Sequence, residues 1–514
     1  MHFYWTSPLQ GFTSSARKPP PLLSKEPLFS QWNGTGHFWL PDRADHKLWG
    51  RASFRPGDVI EIVLEGNLWP YGSTGRFKCP VIHGTLFNGA PCALFDSSCA
   101  VESYWAVERH DRTIVDSRYL LVGQHLPALS EVLLSRLTVQ FSHLDDWFHK
   151  PYRVTYKPNS DDKALLSFSP DSFEASVLFD SAEFRLSLFC GRTIPHAPTT
   201  GKIEWTYRYS VVIESVEPQS FDLFIQVATL VRKILVFLIG TGVYTLSLNA
   251  VLWEPDEGPP RTKKLRRLQI LTPVAVPMLV RTDPRAFSTR FEQVAAVLPG
   301  VFAEWFRRKE ELAVVTSSYS EILLIDGAAE ETFFLRIAQV LEHFHGLLWP
   351  ESRRYASRSN WKLFRSWLGE NLPDPLPGLG TGENRPPAQL RDLLLNRIGS
   401  LNELSFRSRL EELFKRIPGR WLMPILDNPP PGWERYLNSF LASVEATRHY
   451  LTHFDPEQSV KALRGEALEV ATSRCWSVLS FWLARTVGFS EEIAGRIAMN
   501  AKRAMFLIAH RTAV

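Results

Sequence analysis

The sequence predicts an α+β protein, with a β-rich N-terminal region followed by an all-helical bundle. Short apolar runs separated by turn residues fill the chain up to about residue 217, a pattern typical of antiparallel strands. From about Ser317 onward, apolar residues instead recur at the spacing of one helix face. The length of 514 residues allows about two to four domains, so both regions can bury a core of their own.

Changes in composition divide the chain into four parts. Residues 1–28 include the stretch KPPPLL and are expected to form a flexible tail. Residues 29–217 form the β-rich domain, with strand-like runs such as VIEIVLEG and VIHGTLFNG. Residues 218–316 form a mixed α/β extension of this N-terminal region, and residues 317–514 form the helical bundle.

The mixed extension contains a stretch long enough to cross a membrane. Residues 234–253, ILVFLIGTGVYTLSLNAVLW, carry no charged side chain. However, Gly240-Thr241-Gly242 is a turn signal, and the residues after it alternate as in a strand. We therefore expect a buried helix near 219–238, a glycine turn and a strand near 243–253, and no membrane association. A single helix is also expected at 291–312.

The bundle is expected to consist of amphipathic helices. The stretch EETFFLRIAQVLEHFHGLL, residues 330–348, places Phe333, Phe344 and four further apolar residues on one stripe. Residues 371–389 are rich in Pro and Gly and are expected to form a loop. Further helical patterns span residues 389–399, 403–416, 434–453, 466–487 and 490–510.

The composition limits the classes of function. The net charge of +4 is too small to indicate a polyanion partner by itself. The five cysteines contain no CxxC pair, so neither a disulfide framework nor a Cys-based zinc site is indicated. The N-terminus lacks the pattern of a signal peptide, and we expect a cytoplasmic protein. The N-terminal region carries no phosphate-binding loop and no GxSxG motif.

The stretch ATRHYLTHFDPE, residues 446–457, holds the main candidate site. Pro456 disfavours helical geometry at the residue before it, so the helix is expected to end near His453. Arg448 and His453 are five residues apart, which is about 140° of rotation on a regular helix. At a helix end, His453 could turn back so that both side chains meet at one phosphate.

An Arg and a His at one phosphate are sufficient for RNA cleavage. The guanidinium binds phosphate oxygens with two hydrogen bonds, and the imidazole transfers a proton near neutral pH. RNA supplies its own nucleophile, the 2′-hydroxyl, so this chemistry requires no metal.

Two other interpretations of the same stretch stay open. Basic residues near a helix end also complement the helix dipole, without any catalytic role. Alternatively, His449 and His453 are four residues apart and could bind a transition metal, with Asp455 as a third ligand. No HExxH motif is present, because Tyr450 follows His449.

The C-terminal third resembles a HEPN domain, a helical family marked by an Arg and a His with four to six residues between them. The matching motif is RHYLTH, from Arg448 to His453, at the end of a bundle helix. The stretches GHFWLPDRADHKLWGRASF, IEIVLEG and VIHGTLFNGAPCALFD are similar to the N-terminal domain of ApeA-like anti-phage proteins, which precedes a HEPN domain. Together the two resemblances span about residues 30–514.

The resemblance implies a metal-independent RNA endonuclease of a bacterial abortive-infection system, without a cofactor. It implies that Arg448 contacts the scissile phosphate and that His453 transfers the proton. HEPN domains usually dimerise so that two motifs face a shared cleft, which implies a homodimer or a higher even oligomer. The expected partners are an RNA substrate, with tRNA as one candidate, and a phage-derived trigger sensed by the N-terminal region. The alternative function is a HEPN module that binds RNA or nucleotide without cutting it.

Several other residues are candidates for supporting roles. His449 stands at the second motif position, where a small polar residue is common; Glu445 could orient it, and Thr452 lies within the motif. A basic cluster with helical spacing could track an RNA backbone, or form a solvated face; its members are Arg353, Arg354, Arg358 and Lys362.

Two further groups stay open in the same way. The basic run 261–267 could contact RNA, another subunit, or no partner at all. Glu342 and His345 share a helix face and could border the cleft, although a surface polar pair is the alternative. Trp349 and Trp361 are expected in the core rather than as platforms for RNA bases.

Overall fold

The computed structural model of the chain describes residues 27–69, 75–105, 109–148, 153–158, 164–169, 176–193, 206–253, 266–274, 284–324, 329–372, 394–395, 398 and 402–511. The described residues fall into two compact units. The first lies within Met1–Pro284 and Arg290–Arg307, and the second within Arg285–Thr289 and Arg308–Val514. The first unit is β-rich and the second is helical, so the predicted fold class is confirmed.

The described residues of the first unit form two sheets. Twelve strands form one sheet and two form the other. The strands are β1 (Trp32–Trp39), β2 (Leu48–Phe54), β3 (Ile60–Glu65), β4 (Gly75–Leu86), β5 (Pro91–Trp105), β6 (Arg109–Val122), β7 (Leu133–Phe141), β8 (Arg153–Pro158), β9 (Ala164–Ser169), β10 (Ser176–Asp180), β11 (Phe184–Thr193), β12 (Thr206–Ser220), β13 (Thr245–Leu252) and β14 (Arg267–Leu271).

The first six strands close into a ring. They follow the order β6-β3-β2-β1-β4-β5, and β5 pairs again with β6. The ring closes because β6 pairs with β5 along one edge and, through its Arg112–Ser117 segment, with β3 along the other. The Leu120–Val122 segment of β6 then pairs with β14. Beyond β14 the sheet continues through β13, β7, β12, β11 and β10. All pairings are antiparallel.

Four helices belong to the first unit: α1 (Leu144–Phe148), α2 (Phe221–Ile239), α3 (Phe291–Val294) and α4 (Leu298–Arg307). The single helix predicted at 291–312 is wrong, because the chain forms α3 and α4 instead. Pro299 explains the break, since it lacks an N–H and its ring clashes with the carbonyl four residues earlier. A proline is tolerated in the first turn of a helix, where α4 has it.

The helix, turn and strand predicted across 219–253 are confirmed. Helix α2 begins after Ser220, whose hydroxyl accepts a hydrogen bond from the Leu223 N–H. It ends at Gly240, which has the left-handed conformation with φ of 78°. Most of its apolar side chains are buried in the first unit, and β13 follows the turn. None of the described helices is long and apolar enough to cross a membrane.

In the part of the chain that the structure describes, the second unit includes helices α5 (Ala313–Leu324), α6 (Glu330–Leu348), α7 (Arg358–Asn371), α8 (Phe406–Lys415), α9 (Gly419–Ile425), α10 (Trp433–His453), α11 (Pro456–Ser459), α12 (Glu466–Thr486) and α13 (Glu491–Arg511). Five predicted helices are confirmed, as α6, α8, α10, α12 and α13. Most of the predicted loop 371–389 and of the helix 389–399 lies outside the described residues, as do residues 1–26 and 261–265.

Helix α12 forms the centre of the bundle. Every residue from Ala471 to Phe481 is buried, which is typical of a helix enclosed by its neighbours. Its buried serines each have a hydrogen-bond partner. Ser473 Oγ donates to the Val470 carbonyl at 3.0 Å and Ser477 Oγ to the Ser473 carbonyl at 2.8 Å. Ser480 Oγ lies 3.1 Å from the Tyr319 hydroxyl, with which it forms a hydrogen bond. The ring of Trp476 stacks on that of Tyr319 of α5, with centroids 4.1 Å apart.

A carboxylate after α9 connects two buried cations. Asp427 accepts hydrogen bonds from Arg474 of α12, at 2.9 and 3.2 Å, and from Lys502 of α13. The Arg474 and Lys502 side chains are 8% and 15% exposed, against 54% for Asp427. Burial alone would raise the pKa of Asp427, but Lys502 and Arg474 outweigh it and hold that pKa below its usual value. This network therefore joins α9, α12 and α13.

We predict that Asp427→Asn lowers the free energy of unfolding by about 2 kcal/mol, because it leaves two buried cations without their counter-charge. The value is below that of a fully buried pair, since Asp427 is half exposed. Asn tolerates the left-handed conformation that Asp427 adopts, with φ of 64°, so the variant changes the charge alone. Urea unfolding measures the loss, with the exposed Asp58→Asn as control. Equal stability of both variants would contradict the role of the network.

The first turn of α6 holds a carboxylate that resists ionisation. Burial, together with the negative charges of Glu469 and Glu331, raises the pKa of Glu330 to about 7. The Glu330 Oε1 atom is buried without a hydrogen-bond partner among the described residues. The folded protein therefore keeps a proton on Glu330 at a pH where the unfolded chain has lost it.

We predict that stability falls as the pH rises from about 4.5 to about 7, because in this window the folded state binds one proton more than the unfolded state. Glu330→Gln should remove this loss and raise the melting temperature relative to the parent at about pH 8, but not at about pH 4.5. Thermal unfolding at both pH values tests the prediction. A variant whose advantage does not change with pH would refute it.

Candidate active site at the end of a bundle helix

The candidate site lies where α10 ends. As predicted, the last helical residue is His453. Phe454 adopts the left-handed conformation, with φ of 54°, and its N–H donates to the Tyr450 carbonyl at 2.7 Å. Asp455 then caps the short helix α11, because its carboxylate accepts a hydrogen bond from the Glu457 N–H at 3.0 Å. Pro456 occupies the first position of α11, where a proline is favoured.

A buried threonine fixes the chain after this bend. Thr447 is fully buried on α10, and its hydroxyl donates to the Ser443 carbonyl at 2.7 Å. The same oxygen accepts a hydrogen bond from the Leu463 N–H at 2.8 Å. The segment between α11 and α12 is therefore tied to the residue next to Arg448 along the chain.

Arg448 is held by two other helices. Its Nη2 donates to Glu342 Oε2 of α6 at 2.7 Å. Its guanidinium carbon lies 4.6 Å from the ring centroid of Phe406, the first residue of α8, a favourable cation–π distance. About a third of the Arg448 side chain stays exposed, 34%, so the guanidinium is oriented by the protein and still accessible to a ligand.

Glu342 lies between two guanidinium groups. Besides Arg448, it has Arg409 of α8 as a neighbour, with Nη1 3.8 Å from Glu342 Oε1. Arg409 also binds the Leu404 carbonyl, at 3.0 Å, and Glu403, at 3.3 Å. Helices α6, α8 and α10 therefore each contribute a charged group to one cluster, next to the expected phosphate contact.

His453 lies in different surroundings. Its side chain is exposed, and its ring centroid is 4.8 Å from that of His449, one turn earlier. His449 Nε2 lies 3.4 Å from Asp455 Oδ2, so Asp455 rather than Glu445 orients His449. Glu445 is half-exposed. Thr452 donates its hydroxyl hydrogen to the Arg448 carbonyl at 2.7 Å, so this hydroxyl is bonded to the backbone of its own helix.

The structure does not join Arg448 and His453 directly. Helix α10 stays regular through His453, so the two side chains leave it about 140° apart. Among the described residues, no hydrogen bond, ion pair or ring contact links them. The described part of the single chain thus shows no contact that turns His453 back towards Arg448, and the chain leaves the helix only at Phe454. That both groups meet at one phosphate stays a prediction.

The metal interpretation has partial geometric support. His449 and His453 lie side by side, and Asp455 approaches His449. Nevertheless, no group of three or more His, Cys, Asp or Glu side chains in the described part of the chain is arranged to hold a metal ion.

His345 does not border the site and is not a surface residue. It is fully buried, and its Nε2 forms a hydrogen bond of 3.0 Å with Glu412 Oε2 of α8. Burial lowers the pKa of His345, although Glu412 opposes this. Trp349 packs edge-on against His345 and carries Arg416 over its face at 4.0 Å. Of the Glu342 and His345 pair, only Glu342 faces the candidate site.

The predicted basic cluster is not one helical face. Arg353 belongs to a 3-10 turn and donates its Nε–H to the Gly346 carbonyl at 2.9 Å. The backbone of Arg354 forms an isolated antiparallel β-bridge with that of Glu403. Only Arg358 and Lys362 lie on α7, both exposed. The expectation that Trp361 lies in the core is also wrong, because no residue of α7 is buried.

Sequence reasoning missed Phe406, Arg409 and Thr447. Phe406 and Arg409 lie near the start of α8, about forty residues before Arg448 along the chain. Their helical pattern indicated a core stripe, but it carried no signal for contact with another helix. Thr447 directly precedes Arg448, and a polar residue on the apolar face of a helix was the available signal.

Two family models match the chain. The model described as ApeA N-terminal domain 1 matches residues 34–267, and the model described as Apea-like HEPN matches residues 335–493. The second match contains Glu342, Phe406, Arg448 and His453. No curated protein and no solved structure matches the chain.

Proposed function

The chain belongs to the ApeA-like proteins, in which an ApeA N-terminal domain precedes an Apea-like HEPN domain, and from this we propose that it is an RNA endonuclease of a bacterial anti-phage system. HEPN domains are generally associated with ribonuclease activity. The proposal is supported most by the state of Arg448. Glu342 and Phe406 orient its guanidinium, yet about a third of the side chain is exposed. It also lies on the turn of α10 that precedes the exposed His453.

In the proposed reaction, Arg448 binds the non-bridging oxygens of the scissile phosphate and balances the charge that develops there. The 2′-hydroxyl of the preceding ribose attacks the phosphorus, and the bond to the 5′-oxygen breaks. The 2′-hydroxyl gives up its proton and the departing 5′-oxygen takes one up, so the products are a 2′,3′-cyclic phosphate and a 5′-hydroxyl. His453 transfers a proton in this step. The residues need no metal and no cofactor for this chemistry, since the nucleophile belongs to the substrate.

A second copy of the chain completes the proposed site. Arg448 and His453 leave one helix about 140° apart, so a single α10 does not offer both groups to one phosphate from the same side. HEPN domains typically act as dimers with two motifs facing one cleft. A homodimer, or a higher even oligomer, would let the exposed His453 of one subunit approach the phosphate that the partner binds.

The N-terminal region is proposed to regulate the nuclease. It carries no catalytic motif, and it precedes the HEPN domain in the same chain. We propose that it keeps the nuclease inactive in the cytoplasm until it senses a phage-derived trigger. A tRNA is one candidate substrate. Deleting residues 1–310 should change this regulation and leave the chemistry of the bundle intact.

One observation favours a second function, a HEPN module that binds RNA or nucleotide without cutting it. Arg448 and His453 share no contact in the single chain, whereas Arg448 alone suffices to bind phosphate. Incubating the purified protein with total RNA in excess chelator separates the possibilities. Cleavage that survives chelation supports the proposed endonuclease, chelator-sensitive cleavage supports a metal site at His449 and His453, and binding without cleavage supports the module.

We predict that Arg448→Ala and His453→Ala each reduce RNA cleavage by about 100-fold or more, because each removes a group that acts on the transition state. The measurement is RNA cleavage by the purified full chain, with RNA ends sequenced after induced expression. Arg435→Ala, an exposed arginine on the same helix, and His343→Ala, an exposed histidine of α6, are matched controls. Parental cleavage by both site variants would refute the assignment.

We predict that Glu342→Gln lowers the KM for RNA about two- to fivefold, because a carboxylate beside the Arg448 guanidinium offsets its attraction for phosphate. Glutamine keeps a hydrogen-bond acceptor of similar shape next to Arg448. Glu445→Gln changes the net charge equally without touching Arg448, and it is therefore the control. A KM that stays constant, or that falls equally in both variants, would contradict the specific effect of Glu342.

A further inference from the structure

Phe454 is an exposed aromatic residue directly after His453. Its side chain is among the most accessible of the large apolar residues, with 74% of the residue exposed. The ring of Tyr450 is its neighbour, with centroids 6.3 Å apart in an edge-on arrangement. The guanidinium carbon of Arg464 lies 5.6 Å from the centroid of the Tyr450 ring. Phe454 thus belongs to a small aromatic surface bordered by a cation.

The backbone at Phe454 is unfavourable for a phenylalanine. Its φ of 54° and ψ of 34° are in the left-handed region, which costs roughly 1–2 kcal/mol for residues other than glycine. Glycine is the usual residue at this position after a helix. The other described non-glycine residues with positive φ are Asp96, His143, Asp427 and Asn428, all of types that are enriched in this conformation.

Burial does not offset this cost. A phenyl group normally compensates for strain by removing apolar surface from water, and the exposed ring of Phe454 removes little. A strained backbone and an exposed large apolar ring at one position together indicate that Phe454 serves contact with another molecule rather than the stability of the single chain.

We propose that Phe454 stacks on an unpaired nucleobase of the RNA, next to the scissile phosphate. This inference rests on the proposed endonuclease function. The Cα atoms of His453 and Phe454 are about 3.8 Å apart, as in any trans peptide, so one nucleotide can reach both residues with its phosphate and its base. Exposed aromatic faces are the usual platforms for unpaired bases. The preferred substrate is therefore RNA that is single-stranded or looped at the cleavage position.

The charge around Phe454 fits stacking better than phosphate binding. The segment after His453 carries Asp455 and Glu457 together with Lys461 and Arg464, so its charges balance. A neutral segment adds no general attraction for a polyanion. Its contribution to RNA binding must then come from the ring, which would make that contribution specific to unpaired bases.

The test measures binding by the full chain of two probes that lack the 2′-hydroxyl nucleophile. One is a fluorescent 2′-O-methyl oligoadenosine of about 12 nucleotides, within the range bound by stacking proteins, and the other is its duplex with the complementary 2′-O-methyl oligouridine. Phe454→Gly removes the ring and suits the left-handed backbone, whereas Phe454→Trp retains an aromatic face. Thermal unfolding checks that both variants fold.

We predict that Phe454→Gly weakens binding of the single strand about 5- to 100-fold, the range measured for single stacked bases, with duplex binding unchanged and Phe454→Trp close to the parent. Single-strand binding equal to the parent, or equal losses on both probes, would overturn the inference. So would a parent that does not bind the single strand.

A second outcome would also overturn the proposed stacking of Phe454 on a nucleobase. If sedimentation shows that Phe454→Gly dissociates the oligomer at a concentration where the parent is assembled, the ring belongs to a subunit interface. The proposed function fails separately, through cleavage by Arg448→Ala and His453→Ala at the parental rate. Because the probes are not cleaved, the stacking result does not depend on that outcome.

Discussion

The ion pair between Glu342 and Arg448 is the interaction on which the candidate site depends. It joins α6 to α10 at 2.7 Å, and the ring of Phe406 adds α8 at 4.6 Å. An arginine side chain loses considerable rotamer entropy when it is fixed, and these two contacts have already fixed Arg448. The guanidinium is therefore oriented before any phosphate arrives, which reduces the entropy cost of binding.

The same contacts that orient Arg448 also compete with its ligand. A carboxylate and a phosphate both accept paired hydrogen bonds from the N–H groups of a guanidinium. In the proposed reaction, an RNA phosphate must therefore share Arg448 with Glu342 or displace the Glu342 carboxylate. Arg409, at 3.8 Å from Glu342, can keep the carboxylate paired when this happens. The cluster thus combines orientation of Arg448 with restrained affinity for phosphate, which is compatible with the proposed nuclease and its proposed regulation.

The chain bend after α10 is the second constraint. His453 ends the helix, Phe454 reverses the backbone, and Thr447 binds the returning chain through the Leu463 N–H. Since Thr447 is fully buried next to Arg448, the positions of the helix end and of the returning segment are coupled. The groups assigned to phosphate binding, proton transfer and base stacking all lie within seven residues of chain, Arg448 to Phe454.

The sequence by itself determined the fold class, the buried helix and strand after Ser220, five of the bundle helices and the end of α10, because periodicity, caps and prolines act over a few residues. It also singled out Arg448 and His453. Only the tertiary structure decided that Glu342 and Phe406 hold Arg448 and that His345 is buried against Glu412. These contacts join residues far apart in the chain, and their geometry follows from how helices pack, which local patterns do not encode.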